Sequence, residues 1–229
     1  MKQTSERLMP AFFILGLLVL WEGAVRIFGI PLYVLPSPVQ VAETLVQELP
    51  VLALHARVTV AEALAGVAIS LVLALVLGIL MDCFPMIRQG LYPVLVVTQT
   101  VPMIVLAPIF IIYMGFGAAP KILTVVLMCF FPVAVSFSDG LSQVDAEYVH
   151  LVRSYGAGQW KTYCLVKIPA AVPALLSGLK VAATYSISGA VVGEWIGSQE
   201  GLGYYLLRVK NGYMLDKVFA CVVVIILLS

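Results

Sequence analysis

The sequence predicts an all-α integral membrane protein with about six transmembrane helices and no soluble domain. Of its 229 residues, 62% are hydrophobic and only 11% are charged, whereas soluble domains average about 25% charged residues. So little charge cannot cover a water-exposed surface, and the mean hydropathy of +1.07 agrees. The hydrophobic residues also form runs close to the roughly 20 residues that a helix needs to cross about 30 Å of hydrocarbon.

The candidate spans follow one another with short connections, so residues 1–229 are expected to form a single transmembrane domain. Their approximate bounds are 8–28, 58–81, 91–114, 122–137, 170–196 and from 214 onward. The first span is expected to stay uncleaved, because no small-residue cleavage site follows it. The third contains Pro93, Pro102 and Pro108 and is predicted to be broken. The sixth reaches Ser229 after only about a dozen apolar residues, so it is either short or continues further.

Several other features narrow the function. Between the first two spans, Ser37-Pro38 predicts the start of a short interfacial helix. The net charge of +1 argues against nucleic-acid binding, which needs a basic face. Four single cysteines lack metal or redox spacing and are expected to be small buried hydrophobes. Lys and Arg divide almost evenly between alternate loops, so the positive-inside rule does not assign an orientation.

A polar stretch, HLVRSYGAGQWKTYCLVKIP at 150–169, interrupts the apolar pattern. Ser142 and Asp145 resemble a helix capping box, and apolar residues then recur at helical spacing on one face. These apolar residues are Val144, Tyr148, Leu151, Val152 and Tyr155. Gly156 and Gly158 are expected to end this helix, and a second short amphipathic helix is expected to close at Pro169. Two short helices outside the lipid form either a loop lying on the membrane surface or a docking element.

Four residues of this stretch, Gly156, Ala157, Ile168 and Pro169, resemble the cytoplasmic "EAA loop" of binding-protein-dependent ABC importer permeases. Pro169 stands thirteen residues after Gly156, as in that pattern. Where the family usually has Glu-Ala-Ala, six residues before Gly156, this chain has His150 followed by Leu and Val.

Further segments extend the resemblance over most of the chain. VLPSPVQV, QTVPMIVLAPIFIIYMGFG, FFPVAVSFSDG and GEWIGSQEGLGYYL are similar to segments of nitrate/sulfonate/taurine-type permeases. Within that group, KVAATYSISGAVVGEWIGSQEGLGYYL is most similar to permeases for thiamine pyrimidine precursors. The resemblance therefore implies the type I ABC importer permease fold and a thiamine pyrimidine precursor as substrate. A sulfonate, taurine, nitrate or riboflavin-type substrate is the alternative.

The resemblance also implies partners and a location. Such permeases form dimers in the bacterial cytoplasmic (inner) membrane, here expected to be homodimers, with two cytoplasmic ABC ATPases and an extracytoplasmic binding protein. The chain has no phosphate-loop motif, so ATP and Mg are expected to bind to the ATPase, and this chain is expected to hold no cofactor or metal and to be no enzyme. A secondary transporter without an ATPase is the alternative class; it favours buried ionisable pairs or a repeated half-structure, neither of which is evident.

The same resemblance assigns a cytoplasmic coupling loop at about 139–169 and places the N-terminus in the cytoplasm. Its expected ATPase-docking residues are Glu147, His150, Leu151, Arg153, Ser154, Tyr155, Gly156, Ala157 and Pro169.

Polar residues within the spans are candidates for a translocation pathway. Gln99, Thr100 and Pro102 lie in the proline-broken third span, where freed backbone groups need a protein partner or a cavity. Tyr185 and Ser186 are candidates for the same cavity, with interhelix hydrogen bonding as the alternative for Ser186. Glu194 near the end of the fifth span is either a pathway group or an interfacial anchor beside an aromatic residue.

Small residues recur every four positions in the fifth span, which lets helices approach closely in lipid. The candidates for this packing are Gly178, Ala182, Gly189 and Gly193. Either another helix of the same chain or a second copy is expected to lie against them.

Overall fold

The computed structural model describes the backbone of residues 2–229 and the side chains of residues 9, 10 and 12–229, and within this part of the chain it contains no β-strand. The helices in chain order are α1 (Lys2–Ile27), α2 (Pro38–Cys83), α3 (Pro85–Thr98), α4 (Met103–Met114), α5 (Ala118–Ser142), α6 (Ala146–Ser154), α7 (Gln159–Thr162), α8 (Ile168–Glu194), α9 (Leu202–Asn211) and α10 (Leu215–Leu228). A π-helical turn, Tyr163–Lys167, joins α7 to α8. The predicted all-α fold class is confirmed.

Helix α2 is longer than the sequence predicted. It runs unbroken through 46 residues, which is about 69 Å at 1.5 Å per residue. The short interfacial helix and the second span are therefore one helix, which corrects their predicted separation. Its start is as predicted, because Ser37 and Gln40 form a reciprocal capping box. Pro50 lies inside this helix and does not end it.

The third predicted span is broken, as its prolines indicated. Helices α3 and α4 are bent by 103° relative to each other. Pro102 stands immediately before α4 with an extended backbone. Because proline has no N–H, it cannot continue the hydrogen-bond ladder of α3. The bend leaves Gln99–Val101 in a turn between two apolar helices.

Helix α5 occupies the centre of the bundle, with α2 and α8 packed against it. Glycines on α2 allow the close approach. A Cβ added to Gly66 would overlap Val125 of α5, and a Cβ added to Gly78 would lie 2.5 Å from the ring of Phe137. Close backbone packing of this kind drives helix association in lipid, where the hydrophobic effect between helices is weak.

Three helical segments are long and apolar enough to cross a membrane: Pro38–Cys83, Ala118–Ser142 and Gln159–Glu194. The bent pair α3–α4 makes a fourth if it is counted as one span. Helix α10 has 14 residues, about 21 Å, which is shorter than a hydrocarbon core of about 30 Å. The described residues thus support three of the six predicted spans, or four with the bent pair, and the first and the sixth stay predictions.

Candidate coupling segment and translocation pathway

The polar interruption folds as a helix, α6, but the predicted cap is wrong. Asp145 is itself the residue before the helix, and its carboxylate accepts a hydrogen bond of 2.9 Å from the Glu147 backbone N–H. Ser142 instead ends α5, and its hydroxyl donates to the Asp139 carbonyl. The mistake arose because Ser142 and Asp145 have capping-box spacing, while α5 extends further than its apolar run indicated.

The end of α6 is set by Gly156, as predicted. This glycine has φ +84°, a left-handed conformation that most residues avoid. Its N–H donates to the Arg153 carbonyl at 2.9 Å, and the Ala157 N–H donates to the Val152 carbonyl at 3.2 Å. These two bonds form a Schellman motif, which satisfies carbonyls left open at the helix end.

The second amphipathic helix is not a separate element. Residues Gln159–Glu194 continue as one helical segment, so the predicted hairpin of two short helices is corrected. Pro169 lies in the first turn of α8 and does not end the preceding helix. Because Pro169 has no N–H for the usual bond, the chain widens into the π-helical turn, in which the Ile168 N–H reaches back to the Tyr163 carbonyl.

A polar cluster that sequence reasoning missed ties this segment to the end of α2. The Lys167 ammonium group lies 2.6 Å from the Asp82 carboxylate, and the Tyr163 hydroxyl donates to the same carboxylate. Side-chain exposure is 20% for Lys167 and 7% for Asp82, so the pair is shielded from solvent. Asp82 and Lys167 are 85 residues apart, so no local sequence pattern predicts this contact, and only the folded structure reveals it.

Helix α6 itself is poorly covered by the rest of the structure. It contains no buried residue, and the apolar residues Tyr148, Leu151 and Tyr155 are 62%, 52% and 84% exposed. Tyr148 and Leu151 line a cavity of about 570 Å³ between the end of α5, α6 and the start of α8. Most of the expected docking residues are exposed: Glu147, His150, Leu151, Arg153, Ser154, Tyr155 and Gly156, whereas Ala157 is half-buried. An apolar surface of this kind marks an interaction site.

Two of the predicted pathway residues meet in one place. Gln99, at the bend between α3 and α4, and Tyr185, on α8, line a cavity of about 390 Å³. The rest of its lining is apolar and comes from α4, α5 and α8, together with the bend itself. These residues are Val101, Met103, Leu127, Met128, Phe131, Pro132 and Val181. Thr100 and Pro102 are exposed at the same bend but do not line this cavity.

The other two pathway candidates lie elsewhere. Ser186 is buried, and its hydroxyl donates to the Ala183 carbonyl of its own helix at 2.7 Å, so it forms no interhelix bond. Glu194 is 1% exposed, and its carboxylate accepts hydrogen bonds from the Thr59 hydroxyl at 2.7 Å and the Gly203 N–H at 2.6 Å. Glu194 therefore joins α2, α8 and the start of α9 and does not face the Gln99 cavity.

The small-residue stripe of α8 packs within the chain. A Cβ on Gly178 would lie 2.7 Å from the Pro132 carbonyl, and one on Gly193 would lie 3.0 Å from the Lys121 Cα. Gly189 and the fully buried Ala182 also lie against α5: a Cβ on Gly189 would be 3.1 Å from the sulfur of Met128, and the Ala182 carbonyl accepts a bond from Cys129. Of the two partners left open, the structure places α5 of the same chain here.

Two contacts of Lys121 are visible only in the folded structure. Lys121 of α5 forms a buried ion pair with Glu62 of α2, and it also donates to the Ser198 hydroxyl at 3.3 Å. Among the residues that the structure describes, no group of three or more His, Cys, Asp or Glu side chains is arranged to hold a metal ion.

The comparisons with known proteins agree with this architecture. The family profile described as "Binding-protein-dependent transport system inner membrane component" matches residues 70–229, a range that includes the bent pair, the candidate coupling segment at 139–169 and α8. Permeases of this family work together with an ATPase and a substrate-binding protein.

Similar curated proteins extend over nearly the whole chain. A formylaminopyrimidine transport permease protein of Halalkalibacterium halodurans is 36% identical over 230 residues, which cover 100% of this chain and 92% of that protein. A riboflavin transport system permease protein of Chloroflexus aurantiacus is 30% identical, with 86% of this chain and 74% of that protein covered. A putative aliphatic sulfonates transport permease protein of Bacillus subtilis is 30% identical, with 95% and 78% covered.

The family profile spans well over half of the chain, and the formylaminopyrimidine permease matches it over its whole length. The chain therefore belongs to the inner membrane components of binding-protein-dependent transport systems: it is a multi-pass permease subunit of an ABC importer in the inner membrane, without catalytic activity of its own.

Proposed function

We propose that this permease imports a thiamine pyrimidine precursor, as a homodimer that docks two cytoplasmic ATPases through residues 139–169 and receives its substrate from an extracytoplasmic binding protein. The observation that carries the docking part is the uncovered apolar surface of α6, formed by Tyr148, Leu151 and Tyr155. Soluble surfaces rarely leave such residues grouped without a partner.

The geometry around α6 suits the transmission of force. The Schellman turn at Gly156 fixes where α6 ends, and the chain then runs through the π-helical turn into α8 without a loop. The Asp82–Lys167 pair holds the same region against α2. An ATPase that moves α6 therefore acts directly on two long helices of the bundle. His150, which stands where the family usually has glutamate, is exposed on α6 and is available for a contact.

A substitution on the exposed face of α6 tests the docking. Leu151→Asp replaces a half-exposed apolar side chain by a charge, and we expect the ATPase retained on an affinity-tagged permease to fall at least about tenfold, since buried interface charges without a partner are strongly unfavourable. The control is Tyr33→Asp, because Tyr33 is also an exposed large side chain (65%, against 52% for Leu151) but lies between α1 and α2. Equal retention by the Leu151→Asp variant and the parent, with both inserted in the membrane, contradicts the docking role.

The substrate assignment has two supports. The relative that transports formylaminopyrimidine matches the chain over its full length at 36% identity, whereas the riboflavin and sulfonate relatives are each 30% identical. The cavity between Gln99 and Tyr185 has one amide, one phenol and apolar or aromatic side chains. Such a lining suits a neutral planar heterocycle, because aromatic faces stack and the polar groups fix the orientation.

The substrate is tested on the binding protein that partners this permease. A formylaminopyrimidine, riboflavin and taurine are added separately at equal concentration, and the unfolding midpoint is measured. A ligand at 100 times its Kd stabilises the folded state by about 2.7 kcal/mol, so we expect a clear upward shift with the pyrimidine alone. A shift with taurine or riboflavin in its place assigns the alternative substrate. ATP-dependent uptake of the stabilising ligand into liposomes that contain the whole complex then checks transport.

A further inference from the structure

Helix α8 carries a polar stripe on a face that no described part of the chain covers. The stripe consists of Ser177, Lys180, Thr184 and Ser188, which recur at intervals of three, four and four residues and are all exposed. This is the spacing of one helix face. It differs from the small-residue stripe that packs against α5, so the two stripes divide α8 into an inner and an outer side.

The stripe lies deep in the span. Lys180 stands twelve residues after Ile168 and fourteen before Glu194, about 18 Å and 21 Å along the helix. The neighbouring Ala182 carbonyl accepts a bond from Cys129 near the middle of α5. The half-thickness of the hydrocarbon core is about 15 Å, so Lys180 lies near its centre, where a charge that faces lipid is costly.

Lys180 also differs from three other lysines of the described helical segments. Lys121, Lys167 and Lys217 each have an acidic partner within 4 Å. No carboxylate of the described residues pairs with Lys180. Ionisable residues within membrane spans normally pair with one another or face a water-filled cavity. Since no described residue pairs with Lys180, its charge calls for water or a second molecule.

The surroundings of Lys180 point to water. Val181 and Tyr185, which alternate with the stripe along α8, line the cavity at the Gln99 bend. The Ser177 and Thr184 hydroxyls donate to carbonyls of their own helix, at 2.9 Å and 3.2 Å, so their oxygen atoms remain available as acceptors. A face with free acceptors, one ammonium group and an adjoining cavity is suited to contact with solvent and solute.

We infer that this face of α8 borders a water-filled translocation pathway, and that the ammonium group of Lys180 makes the pathway selective against cations while neutral and anionic solutes pass. The inference rests on the proposed dimeric permease, in which a second copy closes the other side. A fixed positive charge in a narrow, weakly screened passage repels cations strongly, and charged side chains act in this way in selective pores. The substrate class that it permits includes a neutral nitrogen heterocycle and excludes a permanently cationic one.

Thiol labelling in the whole permease–ATPase complex, reconstituted in liposomes, tests both parts of the inference. In a background with Cys83 and Cys164 changed to serine, Thr184→Cys is exposed to two methanethiosulfonate reagents of similar size, one a quaternary ammonium and one a sulfonate. Rates are divided by the rates with a free thiol in solution. The matched control is Val72→Cys, which is also exposed but lies on an apolar face of α2 at a similar depth, between Ser70 and Gly78.

We expect Thr184→Cys to react while Val72→Cys does not, and the anionic reagent to react about tenfold faster than the cationic one. Lys180→Met should reduce this ratio to about one, whereas Lys180→Arg should preserve it. If Thr184→Cys does not react, the proposed pathway is wrong. If it reacts but Lys180→Met leaves the anionic-to-cationic rate ratio unchanged, the proposed selectivity is wrong. The labelling needs no substrate, so a wrong substrate assignment would leave both results unchanged.

Discussion

The buried side chain of Glu194 connects α8 to two other helices, α2 and α9. Its two carboxylate oxygens bind Thr59 of α2 and the Gly203 N–H in the first turn of α9. The Thr59 hydroxyl in turn accepts from the Leu202 N–H at 2.8 Å. These bonds satisfy N–H groups that a helix start leaves open. Gly201 has φ +102°, and a Cβ at this position would overlap the Glu194 carboxyl group.

Glu194→Gln is therefore expected to lower stability, although the size of the side chain is kept. The amide group can accept at one position only, so either Thr59 or Gly203 faces another donor, and an unsatisfied buried group costs about 1–3 kcal/mol. A lower thermal midpoint of the purified permease in detergent measures the effect. Glu43→Gln, an exposed carboxylate of α2, serves as control. Equal midpoints for the two variants would show that the Glu194 bonds do not stabilise the fold.

At the scale of elements, residues 159–167 of the candidate coupling segment continue into α8 as one helical segment. The π-helical turn accommodates Pro169 without a loop, since a local widening replaces the bond that proline cannot make. The Lys167 and Tyr163 side chains project from this turn to Asp82 at the end of α2. Two long helices are thereby connected next to the surface that is proposed to meet the ATPase.

Asp82→Asn is expected to uncouple the ATPase from transport. The change leaves α6 untouched, so ATPase retention should stay within about twofold, but the shielded Lys167 loses its ionic partner, which is costly. Uptake per ATP hydrolysed, measured in liposomes, should fall about tenfold. Glu48→Gln provides the matched control, because Glu48 of α2 also pairs with a lysine, Lys217, and accepts from a tyrosine, Tyr205, but beside α9 and away from α6. Equal coupling in both variants contradicts a role for the α2 link.

At the scale of the whole molecule, α2, α5 and α8 form a bundle with different chemistry at its two ends. The Asp82 cluster lies at the end that carries α6, and the Glu194 cluster lies at the other end, beside α9. Long helices packed through glycines can transmit displacement between such ends, because close-packed interiors have low compressibility and transmit strain. The bend at Gln99 and the polar stripe of α8 lie between them.

Several features of this protein were determined by the sequence itself. Composition set the membrane class, the prolines of the third span predicted its break, and Gly156 predicted the end of α6. Each of these depends on a local property: transfer of a side chain into hydrocarbon, a missing N–H, or tolerance of a left-handed backbone. The thirteen-residue interval from Gly156 to Pro169 also indicated the resemblance to the permease family.

Only the tertiary structure decided which polar groups meet. Asp82 and Lys167 are 85 residues apart, and Thr59 and Glu194 are 135 apart, so no local pattern joins them. The fold also assigned the small-residue stripe of α8 to α5 and left the polar stripe of the same helix open. Helical spacing defines the faces of a helix, but which face is covered depends on the packing of distant segments.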